Sequence, residues 1–195
     1  MFAFVKRTRV QRLRIHSNSW KWLVVGLCAM APLVRAQAVD EYAIKAAFLF
    51  NFTKFVDIPQ GSDASSFLIC IVGDDPFGSS IDQVVKGKVA NGHPIQVRRV
   101  KQFDEVRQCQ VAFLGRNESS KASKVIAAAK GVPVLLVGED REFAHMGGTI
   151  YFSVTDNHVG FVVNLAGAEH AGLKISAKLL SVAKIFDPKD DPDER

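Results

Sequence analysis

Three short apolar runs, each ending at a glycine, constrain the fold of this chain more than any other feature. The runs and their glycines are Phe67–Val72 with Gly73, Cys109–Leu114 with Gly115, and Val134–Val137 with Gly138. A largely apolar run of about 4–8 residues is typical of a strand buried on both faces, as in parallel sheets. Segments with helical character separate the runs. The sequence therefore predicts a single layered α/β domain with a mixed β-sheet flanked by helices.

Helices are predicted at both ends of this domain. The first extends from Glu41 to Phe55, where apolar side chains recur on one helical stripe until Pro59 ends it. The last is predicted from Leu165 to Phe186, with a narrow apolar seam at spacings of four, three and four residues: Ile175, Leu179, Val182 and Phe186. Each stripe fits core packing, and each also fits contact with a partner.

Two further strand signals lie between these helices. Ile95–Val100 alternates as a strand, and a hairpin is predicted from Thr149–Val154 and Val159–Val163 around Asp156-Asn157. The hairpin adds antiparallel strands to the sheet.

The amino terminus has the features of a secretory signal. Residues 1–36 contain seven basic groups and no acid, then an apolar run from Trp22 to Val34 that ends at a small-x-small site. The run is too short to span a bilayer, which needs about 20 residues. We expect cleavage before Gln37 and a periplasmic domain over 37–195, with a frayed tail over 187–195. An uncleaved anchor is the alternative, and no membrane insertion is expected after cleavage.

The leader also explains the basic charge of the chain. Without residues 1–36, the chain has 18 Lys and Arg against 20 Asp and Glu, so the formal net charge of +5 and the pI of about 9.2 belong to the leader. A nucleic-acid-binding domain needs a basic face, and the sequence does not predict one.

Two cysteines remain after the leader, Cys70 and Cys109. An even count in an exported chain favours a disulfide, although two separate buried thiols are also consistent with apolar surroundings. A pair of cysteines with no histidine nearby is a poor metal site.

No catalytic constellation is apparent in the sequence. The turn from Gly73 to Gly78 follows a strand but carries Asp74 and Asp75, and it matches no phosphate-binding motif. The histidines show no metal-ligand spacing, and no Gly-x-Ser-x-Gly motif is present. We therefore expect no catalytic residues, no metal and no cofactor.

The ordered series of segments over about residues 40–186 closely resembles the YfiR family of periplasmic proteins. The segments that carry the resemblance are Glu41–Phe55, Cys70–Gly78, Gly92–Ile95, Cys109–Val111, Gly147-Gly148, Val163–Leu165 and Ala171–Leu180. The resemblance implies a regulator that binds the periplasmic sensor region of a membrane diguanylate cyclase, lowers cyclic di-GMP and so disfavours biofilm growth. It also implies a homodimer and a Cys70–Cys109 disulfide. Some members carry a second cysteine pair, which this chain lacks.

The leading hypothesis is thus a signalling repressor, not an enzyme, that acts by protein–protein contact. The last helix is the expected contact element, through Leu173, Leu179 and Val182. The alternative is a periplasmic small-molecule-binding module serving another receptor, with a crevice at the strand ends near Gly73 and Gly138.

Overall fold

The computed structural model of the protein describes residues 41–59 and 65–189. The six α-helices of this part are α1 Glu41–Phe55, α2 Ser80–Val85, α3 Ala122–Ala128, α4 Arg141–His145, α5 Leu165–His170 and α6 Ala177–Leu180. Two 3-10 helices cover Phe103–Gln108 and Arg116–Lys121. The predicted export signal and the last residues of the predicted tail lie outside the described residues.

Ten strands form two sheets in the same part of the chain. The strands are β1 Val56–Asp57, β2 Phe67–Val72, β3 Val89–Ala90, β4 His93–Val100, β5 Val111–Leu114, β6 Leu135–Gly138, β7 Ile150–Thr155, β8 His158–Val163, β9 Lys174–Ile175 and β10 Lys184–Ile185. The large sheet has the order β10-β8-β7-β6-β5-β2-β4-β3, and β1 pairs with β9 separately. Strands β4, β2, β5, β6 and β7 are mutually parallel, and β7 and β8 form an antiparallel hairpin.

The three glycine-ended runs become the adjacent central strands β2, β5 and β6, which confirms the predicted α/β fold with a mixed sheet. Successive side chains of a strand point to opposite faces, so each run serves two cores. On one face, Ile71, Phe113 and Val137 pack beneath α1 and α2. On the other, Leu114 and Leu136 pack beneath α3 and α4. Burial on both faces is the reason that these runs are apolar at every position instead of alternating.

The first helix and the hairpin also form as predicted. Phe52 of α1 is completely buried and stacks on Phe152 at a centroid distance of 5.9 Å. The hairpin turns at Asp156 and Asn157, with φ of 51° and 61°. Two positive φ angles define the turn whose twist suits a two-residue hairpin, and Asp and Asn tolerate them.

The predicted helix from Leu165 to Phe186 is wrong. Its first part, α5, ends at a glycine: Gly172 has φ of 69°, and the amide of Leu173 donates to the carbonyl of Ala168 at 2.9 Å. This left-handed glycine cap terminates a helix. The chain then pairs β9 with β1, begins α6 and finishes as β10 beside β8. The spacing of four, three and four residues arises from these separate elements.

None of the helices in the described residues is long and apolar enough to cross a membrane.

Candidate functional site

The C-terminal segment places the three predicted contact residues in different environments. Leu173 and Leu179 are 6% and 4% exposed and belong to the core beneath α1. Val182 is 71% exposed. Only Val182 can therefore touch a partner without a rearrangement of the core.

A second exposed apolar side chain lies near Val182. Ile185 of β10 is exposed, and Lys184 beside it is also exposed. We call Val182, Lys184 and Ile185 the C-terminal surface. The 3.6-residue pattern could not identify Ile185, because it lies on a two-residue strand and not on a helix.

Phe186 holds the C-terminal surface in place. Its ring is buried in a small cluster with Ala144, Tyr151 and Val162, and its amide donates to the carbonyl of Val163 at 2.8 Å. The guanidinium of Arg141 lies 5.1 Å from the Phe186 ring and donates to the carbonyl of Asp187 at 2.9 Å. β10 is thereby fixed at the end of the sheet, with β8 as its partner among the described strands.

A cleft of about 100 Å³ opens at the carboxyl ends of β2 and β5. In the sheet, β2 lies between β4 and β5. The chain adds β4 on one side of β2 and then β5 on the other, so the direction in which strands are added reverses at this point. Ligands of open α/β sheets bind at such a switch point. The loops that line the cleft follow Gly73 and include Gly115. The predicted crevice is therefore near Gly73, whereas Gly138 is not among its lining residues.

A buried ion pair lies behind this cleft. Lys45 of α1 is 1% exposed and binds the carboxylate of Glu139, which is equally buried, as well as that of Glu41. Glu139 also accepts a hydrogen bond from the backbone amide of Arg116 at 2.6 Å and one from the Tyr42 hydroxyl at 3.4 Å. The cluster ties α1 to the ends of β5 and β6.

Burial and the neighbouring carboxylates raise the pKa of Tyr42 to about 12. Burial disfavours the phenolate, and the negative charges of Glu139 and Glu41 disfavour it further. The phenol therefore stays protonated at neutral pH and acts as a donor to Glu139. We interpret this cluster as a structural element that closes the back of the cleft, because its charged groups pair with each other.

Glu118 narrows the cleft by joining its two loops. Its carboxylate accepts from the amide of Asp74 at 3.2 Å and pairs with Lys121. A Cβ at Gly73 would lie 2.5 Å from the Glu118 Cδ, and Gly73 has φ of 80°. The positive φ therefore favours glycine there, and a Cβ would displace the Glu118 carboxylate from its present position.

Glu118→Gln is expected to lower the free energy of unfolding by about 1–2 kcal/mol at neutral pH. The hydrogen bond from Lys121, with that from the Asp74 amide, lowers the pKa of Glu118. A depressed pKa gives stability that is complete above the unfolded-state value of about 4.3 and is lost as the pH falls through the folded-state value.

Urea unfolding between about pH 7 and pH 3 measures this effect. The difference between wild type and Glu118→Gln should shrink as the pH falls below about 4. Exposed Glu142 is the matched control, and its change to Gln should alter stability by less than about 0.5 kcal/mol. An equal loss in both variants would contradict the assigned role of Glu118.

The structure joins Cys70 and Cys109 by a disulfide. Both residues are buried, and the bond links β2 to the segment immediately before β5. This agrees with the pairing implied by the family resemblance. In the described residues, no group of three or more His, Cys, Asp or Glu side chains is placed to hold a metal ion.

Comparison with solved structures supports the fold. A conserved domain protein from Vibrio cholerae O1 biovar El Tor strain N16961 is 12% identical with a TM-score of 0.52, and the match covers 75% of this chain and 60% of that one. The ABC domain from Streptococcus pneumoniae, solved in complex with L-Trp, is 10% identical with a TM-score of 0.50, over 72% and 60%. This chain thus spans about 60% of either structure, and identities this low show the fold alone.

Comparison with protein families is more specific. No curated protein matches the chain at a significant level. The model of the YfiR/HmsC-like family matches residues 42–184, which cover all the helices and strands described above except Glu41 of α1 and Ile185 of β10. The chain therefore belongs to the YfiR/HmsC-like family.

Proposed function

We propose that the protein is a periplasmic regulator that binds the periplasmic sensor region of a membrane diguanylate cyclase and lowers its output of cyclic di-GMP. The YfiR/HmsC-like family is a family of regulatory, non-catalytic proteins. Membership in this family is the observation that carries the proposal. A regulator of this kind acts by occupying its partner, so a complementary surface is sufficient.

The C-terminal surface is the contact that we propose. Interface centres are poor in charge and rich in apolar side chains, and Val182 and Ile185, three positions apart in the chain, both expose apolar side chains. β10 lies at the end of the sheet and has only β8 as a described partner. An edge strand of this kind can add a strand from another protein. Leu173 and Leu179 are buried in the core beneath α1, so we propose Val182 and Ile185 as the contact residues in their place.

Val182→Asp is expected to weaken cyclase binding about tenfold or more and to raise cellular cyclic di-GMP. A carboxylate buried at an interface without a partner loses its hydration, and loss of a central contact often costs over 1 kcal/mol. Binding is measured by capture of the detergent-solubilised cyclase, and output by a fluorescent cyclic di-GMP reporter in cells.

Val89→Asp is the matched control. Val89 is 63% exposed on β3, at the opposite end of the large sheet from β10. It should leave both readouts unchanged at equal protein level in the periplasm. Full restraint of the cyclase by Val182→Asp would contradict the assigned surface. Capture of no cyclase by the wild-type protein would contradict the proposed function.

We also propose that the protein forms a homodimer, as the resemblance to the YfiR family implies, and that the contact between its two copies lies outside the C-terminal surface. Sedimentation of wild type and Val182→Asp should then give the same oligomer. If Val182→Asp converts a dimer to a monomer, the C-terminal surface is a contact between copies of this chain and not the cyclase site.

A further inference from the structure

A cavity of about 240 Å³ lies beside the start of β6. It is open to solvent on one side and is bordered by the end of α3, the loop between α4 and β7, and α5. Apolar side chains form much of its wall, including Ile126, Val134, Leu136 and Met146. The cavity is separate from the switch-point cleft and from the C-terminal surface, whose residues do not line it.

Thr149 supplies a polar group to this apolar wall. The residue is 1% exposed, and its amide and carbonyl are both paired, with Leu136 and Asn164. Its hydroxyl, by contrast, has no hydrogen-bond partner among the described residues. Buried polar groups are nearly always paired, and an orphaned hydroxyl requires an explanation. The hydroxyl oxygen is itself covered, whereas the residue lines the cavity. Rotation of the Thr149 side chain about its Cα–Cβ bond would therefore be needed for a bound molecule to supply the missing partner.

The wall that carries Thr149 is built tightly. The Asn164 side chain donates to the carbonyls of Ala144 and Gly148 at 3.0 Å and accepts from the amide of Gly167 at 3.1 Å. A Cβ at Gly167 would lie 2.8 Å from the Gly148 carbonyl oxygen. These contacts join two of the segments that carry the family resemblance, around Gly147-Gly148 and around Asn164. This wall of the cavity is therefore fixed by hydrogen bonds and close packing.

Charge at the cavity favours an anion. Lys130 and His170 line it and are exposed to solvent, whereas no acidic residue is among the lining side chains. The volume corresponds to about eight water-sized groups. Apolar walls with a few placed polar groups are typical of sites for small organic molecules.

We propose that this cavity binds a small organic carboxylate whose apolar body lies against Leu136 and Met146, with Thr149 as its buried hydrogen-bond partner and Lys130 near its charge. This inference goes beyond cyclase regulation and does not rest on it. Binding to the purified protein tests it without any cyclase, so failure of the site and failure of the proposed function are distinguishable.

The test titrates the purified protein with 4-fluorobenzoate and 4-fluorophenylacetate, observed by ¹⁹F NMR. We expect dissociation constants of about 1 mM or tighter for at least one acid. Its uncharged amide counterpart should bind at least about fivefold more weakly. Thr149→Val should lower the affinity of the acid about five- to tenfold, because a hydrogen bond to a charged group is lost. Lys130→Gln should weaken the acid and leave the amide unchanged.

Thermal unfolding distinguishes a ligand-binding role of the Thr149 hydroxyl from a role in stabilising the fold. Thr149→Val replaces an unpaired hydroxyl by a methyl group, so it should raise the melting temperature by about 2–4 °C while binding falls. Thr149→Ser keeps the hydroxyl and should keep affinity within about threefold. The site would be overturned by any of three results: neither acid binds by about 10 mM, binding is unchanged in Thr149→Val, or the melting temperature of Thr149→Val falls. The last result would mean that the hydroxyl already has a structural partner, such as water.

Discussion

Lys45→Met is expected to lower the free energy of unfolding by about 3–5 kcal/mol at neutral pH. The substitution removes the ammonium that pairs with the buried carboxylate of Glu139 and leaves that charge in a low-dielectric environment. It also removes the cation that lies 4.6 Å from the Tyr42 ring. Urea unfolding followed by circular dichroism measures the loss.

Two variants control this experiment. Lys45→Met combined with Glu139→Met removes both charges, and it should recover part of the stability because no unpaired buried charge remains. Recovery is incomplete because the Arg116 amide and the Tyr42 hydroxyl lose their acceptor. Glu41→Gln changes the half-exposed partner of Lys45 and should cost less than about 1 kcal/mol. A loss below about 1 kcal/mol for Lys45→Met alone would show that the pair does not hold α1 on the sheet.

Loss of the Cys70–Cys109 disulfide is expected to lower the free energy of unfolding by about 4 kcal/mol. The bond joins residues separated by 39 positions, and closing a loop of this size in the unfolded chain accounts for that value in the chain-entropy model. The variant carries Cys70→Ala and Cys109→Ala, and its unfolding by urea is compared with that of oxidised wild type.

Reduced wild-type protein is the internal control for this comparison. Reduction should lower stability to within about 1 kcal/mol of the double variant, because both then lack the same covalent restraint. Under non-reducing denaturing conditions, the wild-type chain should contain no thiol that can be alkylated at these two positions. Labelling of both thiols in oxidised protein would contradict the disulfide.

The stability losses predicted for Lys45→Met and for removal of the disulfide arise in different layers of the fold. Lys45–Glu139 connects α1 to the strand ends on one face, whereas Cys70 and Cys109 belong to the core on the other face. Sites that are distant and share no partners usually have additive effects. Neither substitution touches the C-terminal surface or the Thr149 cavity, so both can be used to separate loss of stability from loss of binding.

The position of the ion pair also decides how the small-molecule alternative should be tested. The strand-end cleft is narrow, and its buried charges already satisfy each other. The larger cavity beside Thr149 has a buried hydroxyl without a partner in the described chain. A ligand search is therefore better directed at Thr149 than at Gly73.

Most of the α/β framework was predictable because its signals are local. Each apolar run of the central sheet is short, ends at glycine and is buried throughout, which requires a layer on both faces. Phe52 lies on the apolar stripe of a helix that ends at Phe55, a few residues before Pro59. Asp156-Asn157 is a turn that only a few residue types can form. These features follow from side-chain period and backbone sterics.

The C-terminal segment was predicted incorrectly because its apolar spacing imitates a helix. Gly172 could have signalled the break, since glycine commonly follows the last turn of a helix. The strands β9 and β10 have only two residues each, too few for any alternation to be visible. Their pairing with β1 and β8 depends on partners more than 20 and up to about 120 residues away in the chain.

Sequence alone determined the layered fold, through its apolar periodicity, and the family resemblance, through its ordered motifs, because both are readable along the chain. Only the tertiary structure decided which apolar side chains are available to a partner: Leu173 and Leu179 are buried, and Val182 is exposed. It also placed Lys45 against Glu139 and left the Thr149 hydroxyl unpaired among the described residues. The physical reason is that burial and pairing depend on which distant segments pack together, and local sequence patterns do not record this.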